Sequence, residues 1–233
     1  MIIYGKNPIF EALKLELVKE LYIRKGTALY DISFPVPVKV LAKPEFDSRF
    51  HRDAQGLAAE VKDIEAVSFE DILPELKTAQ GVMVLDRIQD PHNFGAIVRS
   101  AHVFGVNHFI VPRYHQASLT ATVAKASAGA LFYCKVAEHT NLRDALIRLK
   151  SLGFQVVAAD MDGKTSLAEA SFNDKVALVV GGEGKGIRPS LAEEADLITN
   201  IPMKGRIDSL NAAQSAAIVL YEIFGKKIKK TLV

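Results

Sequence analysis

Short apolar runs that alternate with helical patterns dominate the chain from Val82 onward. Each run is long enough for a buried strand of a parallel sheet. These runs are Val82–Leu85, His108–Val111, Val156–Ala159, Val176–Val180 and Leu197–Ile201. Helical periodicity lies between and after them, at Phe94–Phe104, Ala121–Ala130, Leu142–Leu152 and Asn211–Phe224. Alternating strands and helices are typical of a wound domain, so the sequence predicts an α/β fold with a parallel sheet over residues 79–233.

The apolar runs in the first 65 residues are shorter. Apolar residues recur at helical spacing from Ile9 to Leu17. Strands are predicted at Leu21–Ile23, Val38–Leu41 and Leu57–Val61. These elements predict a small α/β domain over residues 1–65, near the lower size limit for independent folding. Residues 66–78 are charged and weakly patterned, apart from a short possible helix near Phe69–Leu76, and we predict a linker there.

Composition is that of an ordinary globular protein, with 49% hydrophobic and 24% charged residues. The single cysteine, Cys134, excludes an internal disulfide framework and fits a reducing compartment. Charged residues from Lys6 to Glu16 interrupt any signal-peptide pattern, and no uncharged apolar run approaches the roughly 20 residues of a membrane span. We therefore expect a cytoplasmic protein without a membrane partner.

Charge alone does not predict a nucleic-acid partner, because the net charge is only +2. The first 75 residues carry a net charge of −3, which counts against a uniformly basic surface there. Four lysines close the chain, at Lys226, Lys227, Lys229 and Lys230. They either contact RNA phosphates or only raise solubility, and we favour solubility.

A first polar segment, Asp90–Ala101, lies at the start of the Phe94–Phe104 helix. Asn93 belongs to its turn and is either a helix cap or part of a site. Arg99 follows among small residues, where its planar guanidinium would suit a phosphate or a carboxylate. The alternative for Arg99 is a structural salt bridge.

Two further segments follow later strands. Gly181–Gly186 is a glycine-rich loop that matches neither the Walker A nor the dinucleotide-binding pattern, and Glu183 is its unusual member because a carboxylate repels phosphate. The third runs from Ile201 to Met203 and on to Ser209–Asn211, before an alanine-rich helix. Asn211 with Gln214 also resembles a capping box, which is the structural alternative for Asn211.

Together, in this order and at the ends of strands, the three segments resemble the signature motifs of the SpoU (TrmH-type) branch of the SPOUT RNA methyltransferases. The resemblance extends to the amino-terminal domain. Ile3–Leu13 and Gln55–Ala59 look like the opening of the ribosomal-RNA ribose methylases of this family. Those enzymes carry a small substrate-binding domain similar to ribosomal protein L30e, so the resemblance covers nearly the whole chain.

Membership would imply methyl transfer from S-adenosylmethionine to a ribose 2′-hydroxyl of RNA, by a homodimer with a trefoil knot in its carboxy-terminal domain. The general rule that chains avoid knots argues against one, so the knot is expected from the resemblance alone. The matching cofactor-binding positions are Gly181, Ile201 and Leu210, with Ala159 a weaker candidate, and no metal ligand is expected. The matching catalytic positions are Asn93, Arg99, Glu183, Ser209 and Asn211.

The resemblance also suggests roles. Arg99 would hold the ribose-phosphate; the family proposal that it acts as the base conflicts with the very high pKa of arginine, so we favour orientation and charge stabilisation. Asn93 and Asn211 would position loops and substrate, Glu183 would hold either Arg99 or the loops, and Ser209 would contact substrate or brace the third loop.

The chain departs from the family pattern in two places. Ala212 and Ala213 stand where valine and serine are usual, which removes a hydroxyl near the cofactor loop, and Phe94 replaces a common leucine. The expected substrate is a guanosine of 23S rRNA. The alternatives are the same chemistry on tRNA, and a non-catalytic RNA-binding or ribosome-assembly factor.

Overall fold

The computed structural model describes residues 1–29, 32–50, 54–184, 186–206 and 209–228. Within these ranges the chain forms two β-sheets, of four and eight strands. Lys229 and Lys230 of the carboxy-terminal lysine cluster lie outside the described residues.

The first sheet belongs to the amino-terminal part of the chain. Its strands are β1 (Ile2–Tyr4), β2 (Val18–Arg24), β3 (Val38–Leu41) and β4 (Leu57–Val61), in the order β1-β4-β2-β3. Strand β4 runs antiparallel to both its neighbours, whereas β2 and β3 are parallel. Helices α1 (Lys6–Lys14) and α2 (Lys43–Arg49) accompany the sheet. The three predicted strands are present, and β1 is an additional one.

The second sheet is parallel throughout, as predicted. Its strands are β5 (Val67–Ser68), β6 (Gly81–Asp86), β7 (His108–Pro112), β8 (Lys135–His139), β9 (Gln155–Ala159), β10 (Thr165–Ser166), β11 (Val176–Gly181) and β12 (Leu197–Asn200). The order is β10-β12-β9-β11-β6-β7-β8-β5, and every pair of neighbours is parallel. The carboxyl ends of the central strands therefore meet at one edge, where open α/β sheets bind ligands.

Helices cover both faces of the second sheet. They are α3 (Phe69–Leu76), α4 (Pro91–Val103), α5 (Ala121–Ala126), α6 (Leu142–Ser151), α7 (Pro189–Ala192) and α8 (Ala212–Ile223), with 3₁₀ turns at Ala130–Tyr133 and Gly225–Lys227. Successive strand residues point to opposite faces. Met83 and Leu85 of β6 therefore pack in the core with α4 and α8, while Val82 and Val84 pack in the core with α3 and α6.

The segment predicted as a linker is largely structured. Strand β5 pairs with β8, and Phe69, Ile72 and Leu76 of α3 are buried in the second core. A capping box at Ser68 starts this helix despite its short length. The connection between the two sheets consequently shortens to residues 62–66.

The amino-terminal part packs directly on the second sheet's helical layer. Helix α5 ends at Ala126 rather than Ala130, because Ala128 and Gly129 adopt positive φ angles of 52° and 91°. The turn that follows contacts α1: the Tyr133 hydroxyl donates to Glu11 at 2.7 Å, and a Cβ on Gly129 would lie 2.8 Å from that of Glu11. One continuous apolar core joins the two parts. No helix in the described ranges has the length and apolarity to cross a membrane.

Candidate active site

A pocket of about 480 Å³ opens at the carboxyl edge of the second sheet, beside β9, β11 and β12. Its wall is formed by the loops after these strands and by the start of α8. The lining includes six of the eight predicted residues: Gly181, Glu183, Ile201, Ser209, Leu210 and Asn211. The weaker candidate Ala159 also lines it. Stretches between Ala159 and Ser215 thus converge on one cavity of the size that small ligands occupy.

Close backbone packing shapes the glycine loop of this pocket. A Cβ on Gly181 would lie 2.2 Å from the carbonyl carbon of Gly186, and one on Gly182 would lie 2.4 Å from the carbonyl oxygen of Arg87. Gly182 and Gly186 also form an isolated antiparallel bridge. Side chains are excluded at both positions by backbone atoms, which cannot move aside as a flexible side chain can. Glycine is required here for close approach.

Three polar side chains from the three predicted segments form one hydrogen-bonded group. The Glu183 carboxylate accepts from the Nδ2 atoms of both Asn93 and Asn211, the second at 2.9 Å. Asn211 Nδ2 also lies 3.0 Å from Asn93 Oδ1. Two amides therefore fix the carboxylate at the mouth of the pocket, and Glu183 holds the loops together rather than contacting Arg99.

Asn93 and Asn211 could each have been a helix cap, and only Asn211 is one. Asp90, not Asn93, caps α4, since its side chain accepts from the His92 N–H at 2.7 Å. Asn211 does cap α8, accepting from Ala213 N at 2.9 Å with its Oδ1 atom. No return bond from the Gln214 side chain completes a capping box among the described residues. Asn93 donates to Glu183 without capping a helix, whereas Asn211 caps α8 and also donates to Glu183.

Arg99 lies on the exposed face of α4 and does not line the pocket. Within the described part of the chain it forms neither an ion pair nor a hydrogen bond, so the structural salt bridge is not found. Val103, about one turn further along the same face of α4, is 63% exposed. The guanidinium is therefore available to a ligand that approaches from outside.

Asp86 is a structural element of the site that sequence reasoning missed. It ends β6 with a fully buried side chain. Its Oδ2 atom accepts from the backbone N–H of Arg188 at 3.0 Å and from Nε at 3.1 Å, while its carbonyl oxygen accepts from Gly182 N at 2.9 Å. Both ends of the glycine loop are thus tied to one residue. A charged residue at the end of an apolar run gave only a weak sequence signal.

Replacing Asp86 by asparagine is expected to lower the free energy of unfolding by roughly 2 kcal/mol, because a hydrogen-bonded charge is lost beside a partly buried arginine. Urea denaturation measures this change. Asp174→Asn is the matched control, since Asp174 is almost wholly exposed and should leave the midpoint unchanged. Equal midpoints for D86N and the wild type would contradict the anchoring role.

Asp160 is a second residue that was missed. It lines the pocket immediately after β9, and its Oδ1 atom accepts from Asp162 N at 3.1 Å. Its Oδ2 atom lies 3.4 Å from the position of a Cβ on Gly186, with no ion-pair partner in the described ranges. The pocket therefore contains two carboxylates, Asp160 and Glu183, and favours a ligand with positive charge or hydroxyl groups.

The described residues support neither a cysteine nucleophile nor a metal site. Burial raises the pKa of the Cys134 thiol to about 12, so this cysteine stays protonated and is no nucleophile. No cluster of His, Cys, Asp or Glu among the described side chains could hold a metal ion.

Known proteins resemble this chain in both sequence and fold. Residues 80–221 match the model of the SpoU rRNA Methylase family. A Staphylococcus aureus protein assigned to the TrmH family of tRNA/rRNA methyltransferases is 35% identical over 238 residues, covering 97% of this chain and 96% of its own.

Two solved structures are informative. A TrmH-family protein from Porphyromonas gingivalis superposes with a TM-score of 0.74 at 28% identity, over 97% of this chain and 90% of its own. The SpoU methyltransferase AviRb from Streptomyces viridochromogenes, crystallised with AdoMet, gives 0.77 over the same shares of the two chains; at 23% identity it shows the fold alone. By the match over residues 80–221 and the full-length relatives, this chain belongs to the SpoU (TrmH-type) methylase family.

Proposed function

We propose that this protein transfers a methyl group from S-adenosylmethionine to a ribose 2′-hydroxyl of RNA. The observation that carries the proposal is that the second and third segments line one pocket, and that the first is joined to them through Asn93, which with Asn211 holds the Glu183 carboxylate. Family membership supplies the reaction class, and the pocket supplies residues suited to it.

The pocket fits the cofactor chemically. S-adenosylmethionine carries a sulfonium cation, an ammonium group and ribose hydroxyls, which suit the carboxylates of Asp160 and Glu183. Apolar surface from Val180, Ile201 and Leu210 suits the adenine ring. Exposed backbone of the glycine loop allows close approach. When bound, the cofactor would supply an already activated methyl group.

Methylation forms an oxygen–carbon bond as the carbon–sulfur bond breaks, leaves S-adenosylhomocysteine and releases the hydroxyl proton to solvent. The work left to the protein is alignment and charge stabilisation. An alcohol is a poor nucleophile at neutral pH, so its oxygen must be held in line with the methyl group. Asn93 and Asn211 keep the Glu183 carboxylate in place at the pocket mouth. Arg99 would hold the ribose-phosphate from the open side, and Ser209, exposed at the rim, would contact the substrate.

The substrate we favour is a guanosine of 23S rRNA. The whole-chain similarity includes the amino-terminal domain, residues 1–65, which we propose is an L30e-like RNA-binding domain. Enzymes of this family that act on tRNA usually carry short terminal extensions instead. We further propose that the catalytic domain is knotted, as the resemblance to the family implies.

Purified protein incubated with radiolabelled S-adenosylmethionine tests the function, with unmodified 23S rRNA and tRNA transcripts side by side. We expect label in 23S rRNA, in dinucleotides that resist alkaline hydrolysis because the 2′-hydroxyl is methylated. Label in tRNA alone would favour the tRNA alternative. RNA affinity without cofactor affinity, measured by calorimetry, would favour a non-catalytic factor.

A homodimer is also proposed, through the exposed apolar residues of α4 and α8. Val103, Ile218 and Tyr221 are 63%, 41% and 54% exposed, and the Tyr221 ring packs 5.9 Å from that of Phe104. We expect the double variant V103D/I218D to sediment as a monomer, because two carboxylates would be buried unpaired in the interface. Ile147→Asp on α6, 49% exposed, is the matched control and should remain dimeric. A monomeric wild type would contradict the proposal.

A further inference from the structure

The loop after β7 carries an exposed arginine and an exposed tyrosine side by side. Tyr114 is 68% exposed, and the guanidinium of Arg113 lies 6.0 Å from the centre of its ring. Neither side chain forms a hydrogen bond or an ion pair with any other described residue. Among the large hydrophobic side chains of the described residues, Tyr114 is the most exposed.

This loop is nevertheless held firmly in place. The Gln116 side chain accepts from the Ile88 N–H at 3.0 Å, and the Ala117 N–H donates to the Ile88 carbonyl at 2.9 Å. His115 adopts a positive φ of 61°, a strained conformation for a residue other than glycine. Ile88 lies in the segment that leads to Asn93, so the loop and the pocket share one support.

The loop also lies close to the pocket. Strands β11, β6 and β7 are neighbours in that order, and all three end at the same edge. Two strand spacings separate the end of β7 from the end of β11, roughly 10 Å. An RNA strand whose target ribose enters the pocket would therefore pass near Arg113 and Tyr114.

The surrounding charges favour one side of the loop. An open cleft of about 370 Å³ beside β8 is lined by Arg113 together with Glu138 and Glu70. Glu70 is neutralised by a two-point contact with Arg148, but Glu138 has no ion-pair partner among the described residues. Glu138 therefore disfavours a phosphate on the β8 side of Arg113.

We propose that Arg113 and Tyr114 form a binding subsite for the RNA strand next to the methylated nucleotide. The Tyr114 ring stacks on an unpaired base, and the Arg113 guanidinium contacts a backbone phosphate. Both contacts are independent of sequence, as in other single-stranded RNA grooves. The inference rests on the proposed function and extends it to the substrate strand.

Fluorescence anisotropy with a short fluorescein-labelled single-stranded RNA of mixed sequence tests the subsite. Tyr114→Ala is expected to weaken binding about 5- to 100-fold, the range for one lost stack, while Tyr114→Phe binds like the wild type. Arg113→Gln should weaken binding and lower the slope of log affinity against log salt by about 0.7, the value for one phosphate contact. Calorimetry should show that the three variants, Y114A, Y114F and R113Q, bind S-adenosylmethionine with unchanged affinity.

Arg143→Gln is the matched control, because Arg143 is an exposed arginine already paired with Glu194 at 2.8 Å. The proposal is overturned if Y114A and R113Q bind RNA like the wild type, or if R143Q weakens binding as much as R113Q. RNA binding does not require turnover. A wild-type protein that binds RNA through this subsite but transfers no methyl group would therefore refute the proposed function and leave the subsite standing.

Discussion

Replacing Arg99 by alanine is expected to lower methyl transfer to RNA about 100- to 1,000-fold, the usual cost of removing a group that stabilises charge in the transition state. Arg99 is exposed and has no partner in the described part of the chain, so the free energy of unfolding should stay within about 0.5 kcal/mol of the wild type. Labelled-methyl transfer and urea denaturation measure the two effects. Arg99→Lys should recover part of the activity, because it keeps the charge but loses the planar fork.

A fall in activity that accompanied a large loss of stability would assign Arg99 to the fold instead. Full activity in R99A would remove it from the reaction. Cofactor affinity is the third readout and should not change, since Arg99 does not line the pocket.

Replacing Gly181 by valine is expected to abolish measurable binding of S-adenosylmethionine. Even the first carbon of the side chain would lie 2.2 Å from backbone of Gly186, so the loop must move and the pocket must change shape. Isothermal titration calorimetry measures the affinity, and circular dichroism reports whether the fold survives. Gly153→Asn is the control: Gly153 does not line the pocket, a Cβ there would meet nothing within 4 Å, and asparagine tolerates the positive φ of 86° found there. Cofactor affinity in G181V equal to that of the wild type would contradict this account of the pocket.

Much of the second sheet could be predicted because its central strands are buried on both faces. The apolar runs within β6, β7, β9, β11 and β12 were each identified within one or two residues of their ends. Strand β8 was missed because only Val136 and Ala137 of its five residues are buried. Two-residue strands such as β5 and β10 have no periodicity to detect.

The site was predictable to a similar extent. Polar and glycine-rich residues at strand ends pointed to Gly181, Glu183 and Asn211, and the structure brings these together. The contributions of Asp86 and Asp160 depend on contacts between residues distant in sequence, which no local pattern reveals. Asn93 was ambiguous because asparagine and aspartate cap helices equally well, and Asp90 lies only three residues earlier. In the structure the cap is Asp90.

Asn211 has a consequence for how this chain can vary. Serine, threonine or aspartate could begin α8 as well as asparagine does. Among these four, only an amide side chain accepts from the helix through its oxygen and still donates to both the Glu183 carboxylate and the Asn93 amide oxygen. A substitution at position 211 therefore affects both the stability of α8 and the position of the Glu183 carboxylate. We expect serine, threonine or aspartate at this position only in relatives that no longer catalyse the reaction.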